Sequence, residues 1–290
     1  MSLLDRLRQR VESDLDAEIG STTVVSGGDV ASAHRFDLVD GRTVFAKTHP
    51  DPPAGFFTTE ATGLAWLRET GAVAVPEVLA VSDGDPAYLV LEWVDEGRAQ
   101  AGTEADLGRS LAALHRSGAP CFGREDRRTT GSRALPNEPH DVWVDFFAAE
   151  RLLPLARLAR DADALADPTI RRLERLATGA TLASLPGADE PPARLHGDLW
   201  AGNRLVDVDG RSWLIDPAAH GGHREFDLAM MRLFGGFGPE CFDAYEEAYP
   251  LADGWHRRVS LHQVAPLVVH AVKFGGGYVA AATEAIELWT

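Results

Sequence analysis

Asp198 and Asn203 stand five residues apart in Leu195-His196-Gly197-Asp198-Leu199-Trp200-Ala201-Gly202-Asn203, and Asp216 follows thirteen residues on, at the end of an apolar run. No other feature restricts this chain as tightly. Five residues is too far for neighbours on one helical turn, so the spacing predicts a loop that presents Asp198 and folds Asn203 back. Residues 205–208 and 212–215 read as short strands joined by a tight turn at Asp209-Gly210, a hairpin that would set Asn203 and Asp216 side by side. An amide and a carboxylate are hard oxygen donors of the kind Mg²⁺ takes beside waters and phosphates. A further carboxylate next to a hydroxyl is what phosphoryl transfer from a nucleotide needs. The competing reading makes Asp198 and Asp216 ordinary turn residues, since Asp is favoured at strand ends. The ordered set as a whole favours the chemical reading.

Upstream, Val44-Phe45-Ala46-Lys47 ends a strand-like run, and Glu60 follows on a segment whose Leu64 and Leu67 recur at helical spacing. In protein-kinase-like folds a strand Lys holds the α and β phosphates and is itself oriented by a helix Glu. Lys47 and Glu60 fit those roles, where a lone strand-end Lys would be merely solvated. Gly27 and Gly28, in Ser26-Gly27-Gly28-Asp29-Val30-Ala31, lie between two strand-like segments and would let a backbone approach phosphates. The segment is neither a Walker A motif nor a complete G-x-G-x-x-G, and a plain β-turn is an equal alternative.

The chain divides near residue 95. Up to there strand patterns and one helix dominate, ending in the apolar run at 87–94; beyond it lie helical patterns at 104–117, 143–160, 168–178, 227–233, 239–248 and 254–272. A charged amphipathic helix with Leu3, Leu4, Leu7 and Val11 on one face is expected at the N-terminus, which lacks the apolar core of a signal peptide. The expectation is an α+β, two-lobed protein-kinase-like fold, with a nucleotide-binding lobe at 1–94 and a helical catalytic and acceptor-binding lobe at 95–290. The nucleotide base would then lie against Glu92, Trp93 and Val94, with core packing the competing role for Trp93.

Composition narrows the class. The 290 residues are 45% hydrophobic and carry a net charge of −16, which argues against a nucleic-acid partner. Arg124, Arg127 and Arg128 are a local exception, read as a solvated loop ahead of an anion grip. The most apolar late stretch, 259–272, is interrupted by His262, Gln263, Pro266 and His270 and is shorter than the ~20 residues of a membrane span. Two cysteines, Cys121 and Cys241, without C-x-x-C spacing, suit a reducing cytoplasm and no structural metal.

The catalytic stretch, Ile215-Asp216-Pro217-Ala218, the run from Gly222 through Met230 (Gly-His-Arg-Glu-Phe-Asp-Leu-Ala-Met) and Phe234-Gly235-Gly236-Phe237 together resemble the fructosamine kinase (ketosamine kinase) family. Gly27-Gly28-Asp29-Val30, Val44-Phe45-Ala46-Lys47, the helix of Glu60, Trp143 with Phe146-Phe147 and Arg151-Leu152, and Tyr249-Pro250-Leu251 extend the likeness over nearly the whole chain. Trp200, directly after Gly-Asp-Leu, is its most diagnostic residue. The resemblance implies ATP- and Mg²⁺-dependent transfer of the γ-phosphoryl group to the 3-hydroxyl of the sugar in a ketosamine, small or protein-bound, leading to deglycation. By position it implies Asp198 as proton acceptor, Asn203 and Asp216 as Mg²⁺ ligands, Lys47 on phosphate and Glu60 orienting Lys47. His196 is read as bracing the loop, and Asp227 as a helix N-cap, a partner of the loop backbone, or both. Trp200, Trp143, His223 and Glu225 are candidate walls of the sugar site, with core packing the competing role for Trp143. The run Leu261-His262-Gln263-Val264-Ala265-Pro266 and the later Val269-His270-Ala271 depart from the family pattern, which puts acceptor preference in question. A kinase-like phosphotransferase for an aminoglycoside, an amino alcohol or another sugar is therefore the alternative, and a nucleotide-binding regulator without catalysis is a third.

Overall fold

The structure, a computed structural model, describes residues 1–25, 31–126, 129–130 and 135–290. Gly27, Gly28, Arg127 and Arg128 lie outside the described residues. The chain forms two compact units, one of Met1–Gln100 with Leu205–Pro217 and one of Ala101–Arg204 with Ala218–Thr290.

The first unit is built on five strands: β1 (Ile19–Val25), β2 (Ser32–Leu38), β3 (Thr43–His49), β4 (Val78–Ser82) and β5 (Ala87–Glu92). They form an antiparallel sheet in the order β1-β2-β3-β5-β4. Helix α1 (Leu3–Leu15) opens with a capping box in which Ser2 and Asp5 each hydrogen-bond the other's backbone N–H. Its Leu7 and Val11 pack onto Phe36, Val44 and Tyr88 of the sheet. Helix α2 (Phe56–Arg68) buries Phe57, Ala61, Leu64 and Leu67. No side chain of its own first turn caps it; Asp83 of the β4–β5 turn accepts from Phe57 N (2.9 Å) and Thr58 Oγ1 (2.5 Å) instead. That carboxylate suits the positive end of the helix and fixes where α2 starts.

The second unit is mainly helical. Helix α3 (Thr103–Arg116) comes first, and α4 (Trp143–Phe146), α5 (Leu153–Asp161) and α6 (Asp167–Thr178) follow it. The sequence pattern predicts one unbroken helix over 143–160; in its place α4 and α5 flank a π-helical segment, Phe147–Leu152. Proline explains this. Pro154 has no N–H to give the carbonyl of Glu150 four residues earlier, and the Arg151 guanidinium takes that oxygen at 2.9 Å.

Short strands β6 (Ala193–Leu195), β7 (Arg204–Val206), β8 (Ser212–Leu214) and β9 (His220–Gly222) follow, then α7 (Glu225–Phe234), α8 (Pro239–Ala248), α9 (Trp255–Phe274) and α10 (Gly277–Glu287), the last without a counterpart in the sequence reading. Strands β7 and β8 pair as the expected hairpin. Its Leu205–Pro217 portion packs with the first unit, where Leu214 N donates to Ala74 O (2.8 Å) and Gly97 N to Val206 O (2.7 Å). Helices α3 and α8 approach so closely that a Cβ on Gly108 would lie 2.0 Å from Cys241 O, which makes glycine obligatory there. The helical core runs through Phe146, Leu155, Ile170, Leu173, Leu261, Val264, Val268 and Ile286. No helix among the described residues is long and apolar enough to cross a membrane.

Buried histidines line the wall of this core. His220 Nδ1 donates to Ala218 O (2.8 Å), His223 Nε2 donates to Gly187 O (3.0 Å), and each ring is almost wholly out of solvent. Burial pushes His220 down to about 3 and His223 down to about 4. The unfolded chain takes up these protons near pH 6.5 and the folded one does not, so both groups withdraw stability as pH falls below that value. Each adds a slope of about 1.4 kcal/mol per pH unit. Urea unfolding of the wild type at pH 7, 6 and 5 should show a steepening loss, and His220→Asn, which keeps a donor but cannot titrate, should flatten it. Equal slopes in the two proteins would contradict this account.

Candidate active site

Lys47 sits on β3, which is interior to the sheet and pairs with β2 on one side and β5 on the other. Strand alternation sets its side chain on the face of Phe45 and His49, opposite the core residues Val44 and Ala46, and it lies only 9% exposed. There Nζ meets Glu60 Oε2 of α2 at 2.6 Å and Asp216 Oδ1, just beyond β8, at 2.6 Å. Burial pushes the Glu60 carboxyl up to about 8, with the Lys47 ammonium pulling against it and Asp216 adding to the rise. Burial would lower the Lys47 ammonium, yet Glu60 and Asp216 together hold it above its ordinary value. The lysine therefore keeps its charge. A single ammonium supports one of its two carboxylates fully, and the 47% exposed Asp216 side chain is the one that water also stabilises. Asp216 adopts φ 52°, a left-handed conformation uncommon outside glycine, which turns the chain sharply after the strand.

The hinge-like run ending β5 is part of the same unit. Val94 is buried, Trp93 is half-buried with its Nε1 on Asp95 (2.9 Å) and the Arg35 guanidinium 4.9 Å from its ring centroid, and Glu92 accepts from Glu77 N (3.1 Å).

In the second unit the loop after β6 carries Asp198. Strand β6 pairs antiparallel with β9, so His220 faces Leu195 where the loop begins. His196 is fully buried and its Nδ1 accepts from Asp198 N (3.3 Å). Gly197 has φ 81°, and a Cβ there would lie 2.1 Å from Ala218 O. Only glycine fits. Asn203 closes a single 3₁₀ turn and donates from Nδ2 to Asp198 O (2.8 Å) and Asp198 Oδ2 (3.2 Å). These bonds commit the amide nitrogen to Asp198 and turn the carbonyl end of the amide the other way.

Asp227 is the third residue of α7, not its N-cap; Arg224 holds that position and makes no side-chain cap. The Asp227 carboxylate points out of its own helix and accepts from His196 N (2.8 Å) and Gly197 N (2.9 Å). Burial would raise this carboxyl, and hydrogen bonds and charge from His115, with the Gly197 amide, hold it below the ordinary range.

Of the four residues expected to wall a sugar, Trp200 alone is exposed, at 40%, edge-on to Phe234 and with its ring over Gly202. Trp143, His223 and Glu225 are buried together with His262, at 4.9 Å between the Trp143 and His223 rings and 5.4 Å between Trp143 and His262. Arg258 grips Glu225 with two hydrogen bonds (2.6 and 2.9 Å). Burial would raise Glu225, and His262 and Arg258 hold it at about 2. Donor atoms of His223, Glu225 and His262 lie within 4.8 Å of one another. A cation among them would stand against the Arg258 guanidinium, so the trio reads as an ion-pair cluster that ties α7 to α9. Sequence reasoning gave Arg258 no role and noted His262 only as an interruption of the apolar stretch and a departure from the family pattern; the signal for both was a charged or polar residue at positions of α9 that the Leu261 and Val264 neighbours mark as buried.

The Asn203 amide and the Asp216 carboxylate each offer oxygen donors of the kind a hard cation such as Mg²⁺ takes.

A family model described as fructosamine kinase matches residues 5–289. The chain is 35% identical over 282 residues, 96% of its length and 98% of the other, to a protein of Enterococcus faecium named a probable ketoamine kinase. It is 31% identical over 274 residues, 93% of its length and 82% of the other, to the chloroplastic protein-ribulosamine 3-kinase of Arabidopsis thaliana. A crystal structure from Thermobifida fusca, named as a candidate fructosamine-3-kinase, superposes with a TM-score of 0.88 at 38% identity, covering 97% of each chain. The fold is accordingly the two-lobed protein-kinase-like one, with a sheet-rich N-terminal lobe and a mostly helical C-terminal lobe. With residues 5–289 matched, and relatives above 30% identity aligned over nearly all of the chain, it belongs to the fructosamine kinase family.

Proposed function

We propose that this chain transfers the γ-phosphoryl group of ATP to the 3-hydroxyl of the sugar in a ketosamine, a reaction that leads to deglycation, and that it acts in the cytoplasm. The observation that carries the reading is the Lys47 ammonium, held 2.6 Å from both Glu60 and Asp216 inside a chain of this family. Such a lysine, buried, charged and fixed by a helix carboxylate, is a phosphate clamp with its direction already set. The two buried cysteines suit a reducing compartment.

The chemistry follows from charge. Asp198 accepts the proton of the acceptor hydroxyl as negative charge develops on that oxygen; its modest basicity suffices because it is held by Asn203 and by the loop backbone. Lys47 grips ATP phosphate oxygens, and Glu60 keeps its ammonium from swinging to solvent. Asn203 and Asp216 are the residues that would hold Mg²⁺, which when bound neutralises charge on the transferring phosphate. Gly27 and Gly28 would cover the phosphates with backbone N–H groups, and Glu92 to Val94 would flank the base. Trp200 offers an exposed aromatic face to the sugar. Trp143, His223 and Glu225 support the acceptor side from beneath through the packing of α7 against α9.

The reading is tested by phosphate transfer from Mg-ATP to a fructosamine, a ribulosamine, an aminoglycoside and a free hexose, with the phosphorylated position located by NMR. Transfer to the 3-hydroxyl of a ketosamine is expected; turnover confined to the aminoglycoside or hexose would discard the deglycation role and keep the phosphotransferase. Asp198→Asn should lower kcat by about 10²–10⁴-fold while ATP binding, measured by calorimetry, stays near wild type. Asp216→Ala should weaken Mg-ATP binding as well as turnover, and unchanged Mg-ATP affinity in that variant would remove Asp216 from the metal role. Trp200→Ala should raise KM for the ketosamine roughly tenfold, about 1.4 kcal/mol, with KM for ATP unaltered.

A further inference from the structure

Behind Asp227, on the side away from the loop it holds, lies a line of polar groups that the roles above leave unused. His115, near the end of α3, is 2% exposed in the middle of an otherwise apolar face with Leu107, Leu111 and Leu114. Its Nε2 lies 3.2 Å from Asp227 Oδ2, and its Nδ1 lies 2.7 Å from the hydroxyl of Tyr245 on α8. Tyr245 is 1% exposed, and burial pushes its hydroxyl pKa upward, so it remains a neutral O–H. The Arg224 guanidinium acts on the same tyrosine, and is itself fixed by Glu190 (2.6 and 2.9 Å) and by the carbonyls of Tyr249 and Pro250 (2.7 Å each). All of these residues belong to the helical unit.

The carboxylate end of this line determines the direction of its bond to His115. A carboxylate only accepts, so the His115 Nε2 must carry the hydrogen it shares with Asp227. The other ring nitrogen, Nδ1, meets the Tyr245 hydroxyl at 2.7 Å. Asp227 thereby receives three donors, namely His115 Nε2, His196 N and Gly197 N, the last two being the amides that immediately precede Asp198. Removing the imidazole donor would leave a fully buried carboxylate short of one charge-assisted bond. The cheapest remedy for that carboxylate is protonation or rotation, and either disturbs its grip on the two amides.

We infer that His115, held at its second ring nitrogen by Tyr245, is a positioning residue for the catalytic loop, acting through Asp227 to fix where Asp198 meets the acceptor hydroxyl. The kinetic side of this inference rests on the phosphotransferase reading above; the structural side does not. A packing role alone would require only that the volume of the ring be filled. A positioning role requires the donor at Nε2 and the hydroxyl at Nδ1.

The experiment compares wild type with His115→Phe, His115→Gln and Tyr245→Phe, and with Leu173→Ala as a control that destabilises the core away from the loop. Hydrogen–deuterium exchange of the full-length protein reads the amides of His196 and Gly197 directly, with no substrate present. Steady-state transfer to the ketosamine reads kcat and the KM for ATP separately. Phenylalanine at 115 should speed exchange of the 195–203 peptide and lower kcat by about 10–100-fold, the loss of one hydrogen bond to a buried charge, with KM for ATP within about twofold. Glutamine, whose amide can donate to Asp227, should recover most of both. Tyr245→Phe should give the same pattern more weakly, about three- to tenfold in kcat, and stands in for His115→Phe if that variant does not fold. Leu173→Ala should lower the melting temperature without selective exchange at 195–203. If exchange at 195–203 in His115→Phe or Tyr245→Phe only matches that of Leu173→Ala, or if Gln recovers nothing that Phe loses, the positioning role is overturned. If the wild type transfers phosphate to no ketosamine, the proposed function fails and the exchange measurement still decides the inference.

Discussion

A carboxylate with no exposed surface, that of Asp227, ties the functional loop to the helical scaffold. Loops are the least determined parts of a fold because nothing in their backbone pairs regularly. Here two consecutive amides, His196 N and Gly197 N, find their acceptor on α7, and the loop starts from a strand that is itself paired with β9. The left-handed Gly197 is pressed against Ala218 O, which leaves its backbone little room to move. Asp198 emerges from this arrangement with little freedom left, and Asn203 reaches back to it from the following turn. A group of weak intrinsic basicity gains its usefulness from such fixation.

The first unit meets a different problem, which is how to keep an ammonium charged inside a sheet. Desolvation works against Lys47, and two carboxylates reverse it. They are not equivalent. Glu60 is deep and comes from a helix whose start is pinned by Asp83, so its distance to Lys47 is set by secondary structure. Asp216 is half-exposed at the end of a short strand and held in a left-handed turn. Were Asp216 engaged by a cation, the ammonium would revert wholly to Glu60, the partner that burial most needs to see neutralised.

Particular residues show what could be read in advance. The periodicity of Leu7 and Val11, of Leu64 and Leu67, and of the late helices is legible because burial of one face repeats at the helical period. The Asp209-Gly210 turn is legible from its residue types alone. Packing of the hairpin with the first unit, although it lies between residues of the second, is not legible, because no local propensity records which surface an element will cover. The π-helical interruption at Phe147–Leu152 was signalled by Pro154, whose missing N–H could be noticed, but a proline at that place is equally compatible with a helix start. Asp227 at the head of an apolar helical run looks like a cap, and only its direction, away from α7, reveals the other use.

Burial is the property that motif reading handles worst, and it divides the residues read as walls of a sugar site. Tryptophan, histidine and glutamate in one neighbourhood are the residue types that hold a sugar, and they are also the types that form a satisfied polar core. The structure separates them: Trp200 faces solvent, while Trp143, His223 and Glu225 are sealed in with Arg258 and His262. Replacing part of such a cluster by apolar residues need not destabilise the fold, but removing one charge from it leaves the other uncompensated. Its persistence is therefore best understood through geometry. By clamping Glu225 of α7 to Arg258 of α9, the cluster fixes the helix that carries Asp227 two residues further on, so that the buried cluster and the loop bearing Asp198 share a single support.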